Sequence, residues 1–382
     1  MLFIVFATIV AISCSAITIR TLVGYSDFSI LVKAVVTIVV AFSWFAPVIS
    51  MTLKRNFHNV SGIVTASQIL YMLFGLAFIL FTTLLVRDFV WYILYYSKKF
   101  NIPSPKDVSW INKTNLYALI FSLLVFSYSL YEGMKDAPVK EVDLYSSKIN
   151  GSFSIALVTD IHIDQDTNDK KIERLVERVN SLNPDIILFV GDMVDATINV
   201  LESKVDILKG LKAKYGVLFT SGNHEMYNGL PQWMIKFSSM GEGFSFVDNL
   251  GISFNDKNVF IFGLPDARVL SAFPMFTPDL DKVMEDVSED SYKILMSHAP
   301  HIVDGLPEGM FDLQLSGHTH GGQIFPFHIL AKMENKYLAG LYDVNGTKLY
   351  VSRGAGHWGP PLRFLAPSEI TFIKVMHDEE KQ

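Results

Sequence analysis

Residues 153–162 read Phe-Ser-Ile-Ala-Leu-Val-Thr-Asp-Ile-His, and residues 185–192 read Asp-Ile-Ile-Leu-Phe-Val-Gly-Asp. Each is a short apolar run that ends abruptly on a carboxylate. Runs of this length and composition, bounded by turn residues, read as buried strands. Between them, Asp169–Leu182 places Ile172, Leu175, Val176, Val179 and Leu182 at helical spacing. Val200–Leu211 repeats the helical character before a third apolar run, Val217–Thr220. Alternating strands and helices point to a layered α/β domain. Further strands are expected at Val259–Gly263, Lys293–Met296, Leu313–Leu315, Lys348–Val351 and Ile370–Val375. Phe244–Val247 and Ile252–Phe254 read as a hairpin-like pair, so the sheets are expected to be mixed. The roughly 240 residues from 134 onward are ample for one packed core.

Upstream of this domain the chain changes character. Half of its 382 residues are hydrophobic and its mean hydropathy is +0.31, with the excess concentrated in the first third. Four apolar stretches stand out: Met1–Ile19, Ile30–Met51, Ile63 to beyond Val86, and Leu116–Tyr131. Each approaches the ~20 residues that cross a hydrocarbon core. Residues 1–133 are therefore expected to form a helical transmembrane anchor of about four spans, followed by a linker over 134–150 and the α/β domain over 151–382. Arg87 and Asp88 interrupt the third stretch. One long helix ending in an aromatic belt of Trp91, Tyr92, Tyr95 and Tyr96 explains it; an extra re-entrant piece is the alternative. The first stretch lacks a basic leader and a small-residue cleavage site, which suits a retained helix. Four spans weakly favour a domain outside the cytoplasm and five would invert that, so the side stays open. Lys33 lies near the start of the second stretch, where it can snorkel, and no charge sits at the centre of a span. That pattern suits an anchor better than a transporter.

Charge and cysteine narrow the function. Residues 1–133 carry nine basic and four acidic side chains, a net +5, against −6 for the whole chain; the remainder carries −11. An acidic domain without a basic stripe argues against nucleic acid as a partner. Cys14 is the only cysteine, which excludes a disulfide framework and a four-cysteine zinc site.

The chemistry gathers where the strands end: Asp160-Ile161-His162, Gly191-Asp192, Gly222-Asn223-His224-Glu225, Ser297-His298 and Gly317-His318-Thr319-His320-Gly321-Gly322. In open α/β sheets, sites assemble at the C-terminal ends of strands. Carboxylate, imidazole and amide oxygen suit Mn²⁺, Fe or Zn²⁺. On an extended backbone, Asp160 with His162 and His318 with His320 would each share a face. Two such pairs, with an Asp, a further His and an Asn, suffice for two adjacent ions. Ions about 3.5–4 Å apart can activate a shared water and clamp the oxygens of a transferring phosphoryl group.

These five blocks, in order, resemble the calcineurin-like metallophosphoesterases from about Ser154 to Val375. The resemblance implies a four-layer α/β/β/α sandwich and a phosphoric ester hydrolase using two divalent metals, with Mn²⁺ first among Mn²⁺, Fe and Zn²⁺. It implies that Asp160, His162 and His320 hold one ion, that Asp192 bridges, and that Asn223, His298 and His318 hold the other. His224 would be the non-ligand histidine acting as general acid. The stretch 317–323 and the tail Ser352-Arg353-Gly354 … His357-Trp358-Gly359-Pro360-Pro361 resemble a membrane-associated bacterial branch, some of whose members hydrolyse the lipid A precursor UDP-2,3-diacylglucosamine. A phosphodiester or pyrophosphate bond in a lipid-linked substrate, at a bacterial inner membrane, is the expectation that follows. A phosphomonoesterase or protein phosphatase, and a catalytically inactive membrane sensor, are the alternatives.

Other residues receive plainer readings. Arg353 is a candidate grip on a phosphate oxygen. Asp195 is read as a support behind the site, and Asp164, Asp166 and Asp169 as a solvated loop and a helix cap. His301 and His357 are pocket candidates; His58 and His328 are read as incidental.

Overall fold

In the computed structural model, residues 2–24, 26–57, 60, 62–272, 274 and 277–380 are described, the side chains of 2–7 and 55 excepted; His58 lies outside this set. The chain divides into two compact units, Met1–Met134 with Gly359–Phe364, and Lys135–Trp358 with Leu365–Gln382.

Among the described residues the first unit holds the α-helices α1 (Leu2–Ile19), α2 (Ile30–Phe57), α3 (Ile63–Ser97) and α4 (Val108–Met134), with a π-helical turn at Arg20–Gly24. Three described stretches, Ile30–Lys54, Ile63–Ser97 and Val108–Met134, are long and apolar enough to cross a membrane; Thr8–Gly24 is apolar but shorter. The charges in the third stretch do not break α3. Arg87 pairs with Asp88 at 2.7 Å and donates to Asn115 Oδ1 at 2.6 Å and Thr114 Oγ1 at 3.1 Å on α4. With the guanidinium satisfied inside the bundle, the helix continues until Lys98, which turns left-handed at φ 55°. The C-terminal segment Gly359–Phe364 packs among these helices. Arg363 N donates to Ser129 O at 2.9 Å, and the Phe364 and Tyr128 rings meet edge-on at 6.2 Å.

The second unit is a mixed α/β sandwich. One six-stranded sheet runs β1-β12-β2-β3-β4-β5, with β1 Val139–Tyr145, β2 Ser152–Val158, β3 Ile186–Val190, β4 Val217–Thr220, β5 Phe244–Phe246 and β12 Ile370–Met376. The other runs β10-β11-β9-β8-β7-β6, with β6 Gly251–Phe254, β7 Val259–Leu264, β8 Tyr292–Ser297, β9 Leu313–Ser316, β10 Gly340–Val344 and β11 Thr347–Val351. The period-two alternation of strand side chains assigns each face. Phe153, Ile155, Leu157, Ile186, Leu188 and Val190 point between the sheets, meeting Ile261, Ile294, Met296, Leu313 and Leu315. Ala156, Val158, Ile187 and Phe189 point outward to helices α5 (Asp169–Ser181), α6 (Ile198–Val205) and α8 (Leu230–Ser238) through Ile172, Val176, Leu201 and Trp233. Between α6 and α8 lies the short α7 (Asn223–Tyr227). Phe260, Phe262 and Leu295 cover the far face of the second sheet, under α9 (Ala267–Ala272) and α10 (Leu280–Met284). The layers are thus helix, sheet, sheet, helix.

Two expectations change. Phe244 and Ile252 do not form a hairpin: β5 joins β4 in parallel in the first sheet, while β6 pairs with β7 in the second. The chain crosses between sheets there, so the real hairpins are β6–β7 and β10–β11. Within the stretch expected to link the two parts, Val139–Tyr145 forms β1 and pairs in parallel with β12.

Candidate metal centre

Strands β2, β3 and β4 are parallel neighbours in one sheet, and β8 and β9 in the other. Their C-terminal ends deliver Asp160 and His162, Asp192, Asn223 and His224, His298, and His318 and His320 to one place. Three overlapping sets of side chains, each with ligand atoms within 4.8 Å of one another, fill it: Asp160, His162 and His320; His162, Asp192 and His224; Asp192, His298 and His318. Asp160 and His298 are fully buried, and Asp192 nearly so.

The pairs share a side for a reason other than the one expected. Asp160, His162, Asp192, His318 and His320 all lie in the left-handed region, with φ between 50° and 72°. Such values are uncommon for residues with a Cβ and cluster at functional sites. Left-handed turns just past the strand ends, and not pleated alternation, turn these side chains inward. The turns are locked by hydrogen bonds: Asp160 N to Gly191 O and His162 N to Asp192 O, both at 3.1 Å, and His318 N to Asp160 Oδ1 at 3.0 Å. Glycines permit the approach. A Cβ on Gly317 would stand 2.2 Å from Asp160 Oδ2, and one on Gly222 2.2 Å from Asp192 Oδ1.

Supporting groups set each imidazole. Asp195 Oδ1 accepts from His162 Nδ1 at 2.7 Å and from His224 Nδ1 at 2.6 Å. His298 Nδ1 donates to Val190 O at 2.9 Å. All three rings therefore present Nε2 to the pocket. Glu225 is wholly buried and accepts from the N–H groups of Asp192, Met193, Val194 and Gly222 at 2.7–3.2 Å. It pins the loop carrying Asp192 to the start of α7.

The charges are strongly coupled. Burial raises the Asp160 carboxyl, with Asp192 adding repulsion and His298 opposing it. Burial disfavours the charged form of His298, but Asp192 and then Asp160 outweigh it and hold this imidazole well above its usual range. Burial and the neighbouring His298 push His318 down to about 3. His224 loses to burial but gains more from Asp192 and Asp195, reaching about 9.

Do these residues fit a metal? The donor set is carboxylate, imidazole and amide oxygen, which suits a borderline divalent ion. Asn223 Oδ1, His298 Nε2 and His318 Nδ1 are buried without a hydrogen-bond partner. His298 Nε2 lies 3.1 Å from Asp192 Oδ2 but outside hydrogen-bond geometry. Buried polar atoms rarely stay unmatched, and a cation bound there would give such atoms a partner. The residues fit.

Arg353 sits beside this centre: a Cβ on Gly321 would lie 3.0 Å from its Cγ. Its guanidinium is held by Glu369 at 2.9 Å. The Asn168 side chain, not Asp169, caps α5. His301 is exposed and His357 half-buried, while the His328 ring stacks on Phe325 at 4.8 Å. Sequence reasoning gave Glu225 no role, although a Glu three residues after a helix-opening glycine is half of a capping box. It also missed the rim. Tyr227 and Trp358, both exposed, stand 5.6 and 6.3 Å from the His224 ring, and Arg268 donates to the Tyr227 hydroxyl. No motif marks Tyr227 or Arg268.

Comparison with known proteins agrees with this geometry. The family described as calcineurin-like phosphoesterase matches residues 153–322. A metallophosphoesterase of Helicobacter pylori is 36% identical over 272 residues, covering 69% of this chain and 71% of its own. One from Campylobacter jejuni is 34% identical over 310 residues, covering 81% of each. A Danio rerio transmembrane protein with a metallophosphoesterase domain is 31% identical over 273 residues, covering 68% of this chain and 62% of its own.

Proposed function

Because the chain belongs to the calcineurin-like phosphoesterases, metal-dependent hydrolases of phosphoric esters, we propose that it cleaves a phosphodiester or pyrophosphate bond in a lipid-linked substrate. In this reading Asp160, His162 and His320 hold one divalent ion, Asn223, His298 and His318 a second, and Asp192 both. Mn²⁺ is the first choice, with Fe and Zn²⁺ also compatible with the donors. When bound, such a pair supplies Lewis-acid charge for the phosphoryl oxygens and lowers the pKa of a water.

The chain's own residues do the rest. Asp195 fixes the His224 tautomer so that Nε2–H faces the pocket and donates a proton to the leaving oxygen. Tyr227 and Trp358 flank His224 with exposed aromatic surface, on which an apolar or ring-bearing part of a substrate can pack. Arg353, held by Glu369, is the candidate grip on a phosphate oxygen.

The observation that carries this reading is the overlap of three ligand sets, joined through His162 and Asp192, among buried acceptors without partners. The apolar helices support a membrane substrate, and the bacterial relatives support a place in a bacterial inner membrane. The test is purified full-length protein with Mn²⁺ against bis-p-nitrophenyl phosphate, p-nitrophenyl phosphate and a glycolipid pyrophosphate panel that includes UDP-2,3-diacylglucosamine. Turnover of the diester and of a glycolipid is expected. Turnover of monoesters alone would move the assignment to a phosphomonoesterase or protein phosphatase; none at all would leave a membrane sensor.

A further inference from the structure

Helix α11 (Phe327–Asn335) follows the loop of His318 and His320 through Gly321–Pro326, and it is turned inside out for a water-soluble domain. Phe327, Ile329, Leu330 and Met333 are 45%, 52%, 58% and 78% exposed, and Phe325 just ahead is 38% exposed. At 3.6 residues per turn the four helical positions share one outward arc, with Glu334 inside it at the C-terminal end and Lys332 beyond its Ile329 edge. The opposite edge fastens the helix to its own unit. Ala331 and Asn335 are buried there, and Gly322 lies so close to the His328 backbone that a Cβ would meet it at 2.2 Å. A contiguous exposed apolar patch of this kind marks an interaction surface.

What covers it follows from the chain itself. The same polypeptide carries helices able to cross a membrane, and only residues 135–138 separate the end of α4 from β1. A second tether lies at the start of α11. The Gln323 side chain clamps Trp358 in both directions, donating to its O at 2.9 Å and accepting from its N at 3.0 Å. The next residue opens Gly359–Phe364, which packs within the helical unit. There a Cβ on Gly75 would meet Leu362 at 2.2 Å and one on Gly133 the Pro361 carbonyl at 2.3 Å. Leu365, just after this segment, is 71% exposed. The loop leading into the apolar helix is thus bonded to the residue that precedes the segment returning to the helical unit.

We propose that the outward arc of α11 rests in the headgroup–acyl boundary of the bilayer that the chain's own helices cross. Helices with an apolar face and polar flanks lie in that plane. The placement stands on exposure and chain connection; its consequence, that the His318–Gly322 loop meets phosphates at the lipid surface, rests on the function proposed above.

The test uses full-length protein with Cys14, its only cysteine, replaced by Ser. A fluorophore is attached at Met333→Cys, or at Glu289→Cys as an exposed control, and the protein is placed in phosphatidylethanolamine–phosphatidylglycerol vesicles with brominated acyl chains. At least twofold quenching at 333 and none at 289 is expected. No quenching at 333, or equal quenching at both, would overturn the placement. A 333 label shielded without response to bromine would also overturn it, in favour of a second copy or another protein. In a second arm, Leu330→Ser/Met333→Ser should lower hydrolysis of a lipid-linked diester in vesicles at least tenfold and leave bis-p-nitrophenyl phosphate turnover within twofold. Equal loss on both substrates would make α11 merely structural. Failure of the wild type on every lipid would sink the lipid substrate alone, with quenching still deciding the placement.

Discussion

One carboxylate oxygen, Asp195 Oδ1, holds the Nδ1–H of both His162 and His224. Replacing Asp195 by Asn keeps the shape and removes the charge that fixes both rings. Activity should fall about 10- to 100-fold, the usual loss for a group orienting ligands from behind. Metal content should stay above one ion per chain; an unchanged kcat would show that neither ring depends on Asp195. His298 gives a second expectation. Its folded value lies above the unfolded ~6.5, so its pairing with Asp192 stabilises the metal-free fold below about pH 6.5 and the gain is lost as pH rises through the folded value. A cation needs Nε2 without its proton, so metal affinity should climb with pH and loading should release ~1 proton. Calorimetric titration at pH 7 in two buffers of different ionisation enthalpy measures this, and identical heats would contradict it. The residues gathered in the pocket were readable because each closes an apolar run on a ligand-type side chain. Glu225 was less readable, since its partners are backbone N–H groups that no side-chain spacing reveals.

At the scale of elements, the site is a set of turns held open by missing Cβ atoms. Gly317→Ala would drive a methyl into Asp160, so the variant should lose metal and at least about tenfold in activity while its helix and strand content, read by circular dichroism, persists. Full activity would show that the loop yields freely. Glu225→Ala would strand four N–H groups and should cost at least about 3 kcal/mol in denaturant unfolding. Most strands were legible as apolar runs. Their partners were less so, because β5 and β6 look like hairpin arms but enter different sheets. The Asn345-Gly346 turn between β10 and β11, with both residues at positive φ, is a hairpin signal legible in the sequence. β1 was not readable: Val-Lys-Glu-Val-Asp-Leu-Tyr is a polar edge strand whose partner lies more than two hundred residues away. The same limit applied to left-handed turns at Asp160 and His318, which follow from the loops' hydrogen bonds and not from residue type.

For the whole molecule, the division of charge and hydropathy visible in the sequence corresponds to a helical unit and an α/β sandwich, with Gly359–Phe364 returning to the helices late in the chain. That return was not legible, because a Pro-Pro segment within a polar tail carries no span signal. The function proposed above requires that Asp192 be shared by two divalent ions. Metal per chain, counted by mass spectrometry on full-length wild type and Asp192→Asn and read beside diester hydrolysis, tests it most directly. Two ions in the wild type are expected, with no more than one in the variant and a loss of activity of at least about a thousandfold. A wild type that hydrolyses the diester with no bound metal, or a variant that keeps both ions and full activity, would contradict the account.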